Sequence, residues 1–278
     1  MSARAPLSAV VTTLDNASTL EACLASLAFC DEIVVLDSGS TDATCAIAKA
    51  HGARIEVQPF AGYGPQKQAA IDHATHDWVL LLDADEFLTA RGQERIEREL
   101  VAPRADGYRL PRHEWLFWQW VRPGTQPNWH LRLFRRSLGA LNAVPVHAAP
   151  EVRGRVIDLD APFRHLGERT IAVRVDKINR YSSGLVDYKQ RRRVRFLGLR
   201  MLLYPHVAFL RLYFIKRYFL NGWAGFIAAR VHAFYGFLKY AKVHEAMIDP
   251  HAALDTRVER PSEMQSPEAM PDSSSPDQ

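Results

Sequence analysis

Over the first hundred positions, short apolar runs rich in β-branched residues alternate with stretches of helical period. LSAVVTT, from Leu7 to Thr13, reads as a buried strand. Ser18-Thr19-Leu20-Glu21 then fits a capping box, and Leu20, Cys23, Leu24 and Leu27 share one helical face. EIVVLD (Glu32 to Asp37) is a second strand, and Thr41-Asp42 opens a second helix that Gly52 ends. RIEVQ (Arg54 to Gln58) is a third strand, GPQKQAAIDHAT (Gly64 to Thr75) a third helix with Pro65 near its first turn, and WVLLL (Trp78 to Leu82) a fourth strand. This alternation predicts an α/β fold, a doubly wound, mostly parallel sheet covered on both faces. After Phe87 the pattern loosens. ARGQERIEREL reads as a short exposed helix and WHLRLFRR (Trp129 to Arg136) as a strand with alternating faces. From Thr170 onward the chain reads as helical.

The 278 residues, 47% of them hydrophobic, suffice for a core of one large domain or one and a half. Cys23, Cys30 and Cys45 form no C-x-x-C pair, and their odd number with no secretory signal points to a reducing compartment. The net charge of +4 conceals an asymmetry: twelve Lys and Arg residues fall between Lys189 and Lys242, and no acid lies between Asp187 and Glu245. Such a region faces something anionic. Its apolar pieces, Met201 to Leu210 and Tyr218 to Ala229, are too short to span a bilayer, and aromatic residues interleave with the basic ones. That suits helices lying on an anionic membrane surface better than a nucleic-acid partner, because long apolar side chains need an apolar environment. The bland alternative is a helical subdomain packed on the sheet with a basic outer face. Beyond Asp249 the composition turns to Pro, Ser and acids, as in a disordered tail.

Ligands of a doubly wound sheet bind beyond the carboxyl ends of its strands. Those ends are Thr12-Thr13, Asp37-Ser38-Gly39-Ser40 and Asp83-Ala84-Asp85-Glu86. The sequence contains no G-x-G-x-x-G after the first strand and no P-loop motif, which argues against a dinucleotide or P-loop site. In an extended backbone Asp83 and Asp85 lie on one side. Their mutual repulsion is tolerable beside a cation, and carboxylate oxygens select Mg²⁺ or Mn²⁺, ions that substrate phosphates complete. The plainer reading of D-x-D is an exposed turn, and Ser40, Thr41 and Asp42 also suit helix caps. Tyr108, Trp115, Phe117, Trp118 and Trp120 crowd one segment, either lining an acceptor site or packing between sheet and helices.

VVTTLDNASTLEACLASL, DEIVVLDSGSTDATCAIAKAHGA and GYGPQKQAAIDHATHDWVLLLDADE, followed by PNWHLRLFRR, PVH and INRYS, resemble the family 2 glycosyltransferases. The likeness is nearest to the bacterial branch that includes lipopolysaccharide core β-1,4-glucosyltransferases, and it runs from about Leu7 to Glu245. It implies the GT-A fold with a helical C-terminal extension and a nucleotide-sugar donor. It also implies roles for particular residues. Thr12, Thr13 and Ser38 lie at the strand ends where the nucleotide packs, and Asp37 accepts a hydrogen bond from uracil. Asp83 faces the ribose and metal, and Asp85 ligates the metal. Lys67, Arg132, Arg135 and Arg136 are candidate cations for the departing diphosphate. An inverting transfer needs a base. The family often has a glutamate directly after PVH, where this chain has Ala148. Glu86, His147 and Glu151 are the remaining base candidates.

The expectation is therefore a metal-dependent inverting glycosyltransferase. It moves a hexose, from UDP-glucose in the first instance, to a lipopolysaccharide core or similar lipid-linked saccharide. Residues 1–168 form the catalytic domain, with a nucleotide-sugar half over about 5–100 and an acceptor half over 101–168. Residues 169–248 form the membrane-associated region and 249–278 the tail. The location implied is cytoplasmic, peripheral on the inner face of the inner membrane. Two alternatives are transfer to a polyprenyl phosphate and a non-catalytic membrane-bound nucleotide-sugar or saccharide-binding protein.

Overall fold

The computed structural model describes residues 4–142, 148–167, 169–192 and 194–249. The tail from 250 and the base candidate His147 lie outside the described residues. The first half follows the predicted order: β1 (Leu7–Thr13), α1 (Ala17–Ala25), β2 (Glu32–Asp37), α2 (Thr44–Ala50), β3 (Arg54–Val57), α3 (Tyr63–Asp72) and β4 (Trp78–Asp83). Then come β5 (Glu86–Leu88), α4 (Ala90–Val101), β6 (Gly107–Leu116), β7 (Gln119–Trp120), β8 (Asn128–Arg135), β9 (Gly139–Leu141), β10 (Pro150–Val152), β11 (Val156–Asp158) and β12 (Phe163–His165). Four helices end the described chain: α5 (Ile171–Ser183), α6 (Val186–Arg191), α7 (Leu197–Leu210) and α8 (Gly222–Ile248).

The main sheet has the order β3-β2-β1-β4-β8-β6-β12-β5, with β7 and β11 also pairing to β6. The four strands from β3 to β4 are parallel, and β8 enters antiparallel between β4 and β6. Alternation along β1 and β4 sorts side chains into two cores. Leu7, Ala9, Val11, Leu80 and Leu82 meet Leu20, Cys23 and Leu24 of α1 on one face. Val10, Val79 and Leu81 meet Ala70 and Ile71 of α3 on the other. Each large aliphatic side chain so buried stabilises the fold by about 1.5–3 kcal/mol.

The local capping signals resolved differently. α1 begins at Ala17, before Ser18, so the capping box does not form. Amides at its start are satisfied from the loop after β2 and the first residue of α2: Asn16 N donates to Thr44 Oγ1 (2.8 Å) and Ala17 N to Asp42 Oδ2 (3.0 Å). A tertiary clamp thus replaces a local cap, and it ties the loops after β1 and β2 together. α4 is not simply exposed, since Ile96, Glu99 and Leu100 are buried against the sheet. β8 does not alternate cleanly either: Arg132, Leu133 and Phe134 are all buried.

The two apolar C-terminal pieces become α7, a single π-type turn (Arg211–Ile215), a 3₁₀ turn (Tyr218–Asn221) and α8. α7 and α8 pack closely at Gly236, where an added Cβ would lie 2.9 Å from the Tyr204 ring. Among the described residues, no helix is long and apolar enough to cross a membrane.

Candidate active site

The carboxyl ends of β1, β2 and β4 open onto a cavity of about 860 Å³. Thr12, Thr13, Ser38, Lys67, Asp83, Asp85 and Arg132 line it. β4 stops at Asp83 and the chain turns through Ala84 and Asp85. The backbone is therefore not extended across the motif, yet both carboxylates reach the same cavity. The Leu166 amide donates to the Asp85 carbonyl at 3.0 Å, fixing that turn.

Positive charge surrounds the acid tip. Lys67 Nζ pairs with Asp83 Oδ1, and Arg132 Nη2 donates to Asp83 Oδ2 at 3.1 Å. Burial pushes the Asp83 carboxyl upward, but Lys67 and Arg132 outweigh it and hold the group well below the usual carboxylate range. Asp85 Oδ2 faces His165 Nε2 at 3.2 Å. Burial again opposes ionisation, and His165 overcomes it, so the Asp85 carboxyl is also held low. On its other side His165 Nδ1 lies 2.7 Å from Glu114 Oε2. Burial disfavours the imidazolium, yet Asp85 and Glu114 together push His165 up to about 10. Burial would raise the Glu114 carboxyl as well, but His165 and Arg112 hold it low. Three protein cations thus supply much of the counter-charge that the sequence alone assigned to a metal.

The sheet register explains how His165 arrives. β12 is wedged between β6 and β5, which sets His165 beside Glu114 on one flank and beside Glu86 on the other. Asp85 immediately precedes Glu86. His165 and Glu114 both line the cavity, and neither was among the expected site residues. They stand 51 positions apart, and only strand pairing brings them together.

Other expected residues stand away from the cavity wall. Glu86 is wholly buried and is not on the cavity wall. It accepts from Arg132 Nη2 (2.6 Å), Arg112 Nη1 (3.2 Å) and the Asp83 amide (3.1 Å), so in this structure it anchors the arginines. Glu151 is exposed on β10, accepts from Asn142 Nδ2 at 3.2 Å, and is also off the cavity wall. Arg135 and Arg136 lie at the wrong end of the sheet. Arg135 pairs in register with Trp78, at the start of β4, roughly 17 Å from Asp83 at the strand rise. There it binds Asp77 and covers the Trp78 ring. Asp37 is 2% exposed and turned into its own loop. Its oxygens accept from the Gly39 amide (2.9 Å), the Ser40 amide (2.8 Å) and Ser40 Oγ (2.5 Å), and the Cys45 thiol lies against it. Ser38, not Asp37, lines the cavity. The aromatic segment divides. Trp115 and Leu116 face the cavity, whereas Phe117 packs with Tyr218, Ala224 and Ala228.

A divalent ion suits the donor chemistry of Asp85 and, once it displaces a ring proton, of His165. A carboxylate and an imidazole meet at the cavity wall, and the far ring nitrogen is fixed by a carboxylate, the usual support of a ligating histidine. Among the described residues, no group of three His, Cys, Asp or Glu side chains could hold a metal alone.

Residues 8–147 match the profile described as Glycosyl transferase family 2. A Rhizobium meliloti (strain 1021) protein named lipopolysaccharide core biosynthesis glycosyltransferase LpsC is 31% identical over 249 residues, covering 86% of this chain and 92% of the relative. Among solved structures, residues 1–349 of S. aureus TarS align with a TM-score of 0.45 and 16% identity, covering 88% of this chain and 92% of that one. Glucosyl-3-phosphoglycerate synthase of Mycobacterium tuberculosis, solved with Mn²⁺ and UDP-glucose, aligns with a TM-score of 0.34 and 24% identity, covering 40% of this chain and 44% of that one. From the family profile and the long relative together, the chain belongs to glycosyl transferase family 2.

Proposed function

We propose that this glycosyltransferase moves a hexose, with inversion, from a nucleotide diphosphate sugar to a lipopolysaccharide core or similar lipid-linked saccharide. UDP-glucose is the donor to test first. The observation that carries the reading is the cation-flanked Asp83–Asp85 tip, set where three parallel strands end on one large cavity. The long relative named for lipopolysaccharide core biosynthesis supports the acceptor class.

In this reading Thr12, Thr13 and Ser38 form the floor for the nucleotide. Lys67 and Arg132 fix Asp83 and leave donor hydrogens for phosphate oxygens. Asp85, with His165 after loss of its ring proton, would hold Mg²⁺ or Mn²⁺, which when bound offsets the charge of the departing diphosphate. Glu114 orients His165 and, clasped by Arg112 and His165, is too weakly basic to take the acceptor proton. With Glu86 and Glu151 off the cavity wall, His147 is the base candidate that remains; its chain neighbour Ala148 lines the cavity.

The helical lobe supports a peripheral place on an anionic membrane, at the cytoplasmic face of the inner membrane. Leu199, Leu202 and Leu210 of α7 are each more than half exposed, as are Phe214 and Ile215 of the following turn. They stand in the stretch that contains no acid. Such an apolar face with basic flanks fits a bilayer interface.

The decisive experiment is a screen of radiolabelled nucleotide sugars against purified lipopolysaccharide acceptors with and without Mn²⁺. Label should pass from UDP-glucose to a lipopolysaccharide truncated in its core. Transfer to polyprenyl phosphate alone, or to nothing, would replace this reading with one of its rivals. Binding to vesicles should need anionic lipid and weaken as salt rises. Equal binding to neutral vesicles would remove the electrostatic part of the membrane reading.

A further inference from the structure

The cavity has two electrically different halves. Its acids, Asp83, Asp85 and Glu114, all come from the sheet half and face Lys67, Arg112 and Arg132 there. The helical half contributes Arg174 and Lys177 from α5, Arg211 from the turn after α7, and Lys216 just past that turn. Among the described residues it contributes no acid. Arg174 and Lys216 meet neutral groups, whereas Lys177 also helps to hold the Asp85 carboxyl low. Arg174 lies over the Phe117 ring at 5.5 Å, Lys177 over the Tyr181 ring at 5.5 Å, and Lys216 Nζ donates to the Pro127 carbonyl at 3.0 Å. Burial lowers the affinity of Lys216 for its proton, and neighbouring Arg211 adds to this, as expected where like charges crowd a partly desolvated wall. Tyr181, Tyr204, Tyr218 and Tyr235 share this half. Their rings and hydroxyls offer flat faces and hydrogen bonds together, a combination that suits a sugar ring.

Arg174, Arg211 and Lys216, across a cavity from a sheet half that balances its own charges, suit an anion beyond the donor's diphosphate. The donor's diphosphate belongs beside Asp83, Asp85, Lys67 and Arg132, at the strand ends. We infer that the helical half of the cavity is a subsite for a phosphate group carried by the acceptor, with the tyrosines holding the adjoining sugar or chain. This rests on reading the cavity as the transfer site and adds the chemical class of the acceptor. Arginine and lysine bind phosphate through charge-assisted hydrogen bonds, and partial exclusion of water strengthens them. α7 joins this subsite to the apolar outer face. Tyr204 and Ala208 line the cavity, while Leu202 and Leu210 of the same helix stand 64% and 52% exposed. An acceptor whose lipid stays in the bilayer therefore meets the basic wall and the membrane-facing surface on one helix.

Saturation-transfer NMR with three probes, glucose 6-phosphate, glucose and geranyl phosphate, tests the inference, each measured with and without saturating UDP. Glucose 6-phosphate should bind, glucose should bind at least tenfold more weakly, and UDP should not displace the phosphate. The double substitution Arg174→Gln with Arg211→Gln should weaken glucose 6-phosphate at least tenfold and leave UDP-glucose affinity within twofold. If that protein does not fold, Arg211→Gln alone should give a threefold or greater loss with the same split. Geranyl phosphate separates the sources of the anion. Tighter binding than glucose 6-phosphate assigns the subsite to a lipid phosphate, weaker binding to a phosphorylated sugar. Displacement of the phosphate probes by UDP, or equal binding of glucose and glucose 6-phosphate, overturns the inference. A failure of the transferase reading looks different: UDP-glucose would not bind, while the phosphate probes still would.

Discussion

Acids paired with cations sit at both ends of the parallel strands, and the two ends behave differently. At the amino end Glu32 accepts from Ser8 Oγ (2.5 Å), the Thr75 amide (2.8 Å), Thr75 Oγ1 (2.8 Å) and Arg54 Nη2 (2.9 Å). Four donors fill a carboxylate's acceptor sites. Asp31 is used in the same way, by the Leu7 amide and Arg4. These acids staple strand starts to neighbouring loops and are not on the cavity wall. At the carboxyl end Asp83 and Asp85 line a large cavity, and Asp85 faces one histidine. Charge pairing alone therefore does not mark a functional site. Acceptor capacity left facing a cavity does. Asp37 makes the point within one end of the sheet: it stands at a strand tip, but three donors of its own loop turn it inward.

The contrast is sharpest for transfer activity. Asp85→Ala should lower transfer at least about a thousandfold, near 4 kcal/mol of transition-state stabilisation. The melting temperature should stay within about 3 °C of the parent. A variant that retains most of its rate would place Asp85 outside the chemistry.

Glu32→Gln should do the reverse. Burial pushes the Glu32 carboxyl up, but Ser8, the Thr75 amide and Arg54 outweigh it and bring it down to about 2 from an ordinary value of 4.5. Because the folded value is the lower one, the stabilisation is complete above about pH 5 and is lost as pH falls toward 2. Its size at neutral pH is about 2 kcal/mol, since the carboxylate is largely shielded but Arg54 is not. Urea titrations of the variant should show that loss at pH 7 and a flatter acid limb, with kcat unchanged.

Asp37→Asn should have the smallest effect, destabilising the loop by about 1 kcal/mol. UDP should bind only severalfold more weakly, through displaced Ser38, because the Asp37 side chain itself is off the cavity wall. A hundredfold loss measured by calorimetry would mean that Asp37 turns outward to meet the nucleotide.

The first seven elements were legible because each apolar run has the length and period of one strand or helix, and α3 and β4 carry Lys67 and Asp83 at the expected places. Helix starts were less legible. The amides that open α1 are satisfied by Asp42 and Thr44, 25 and 28 residues away, so Ser18 had no capping role to fill. Arg132 and Arg135 occupy one basic motif, but β8 runs antiparallel to β4, so three residues along the strand carry the second arginine away from the site. Glu114 and His165 left no local signal. A lone histidine in FRH and a glutamate in an aromatic run acquire meaning only through the β12–β6 register. The excess of basic residues in the helical region was visible in the sequence, whereas its division between an outer face and a cavity wall needed the packing of α5 and α7.

Calorimetric titration of UDP-glucose, with Mn²⁺ and with EDTA, into the parent protein and Asp85→Asn tests the central claim most directly. Mn²⁺ should tighten binding at least tenfold in the parent and by less than twofold in the variant. Identical affinities with and without the ion in both proteins would contradict a donor site built on Asp85.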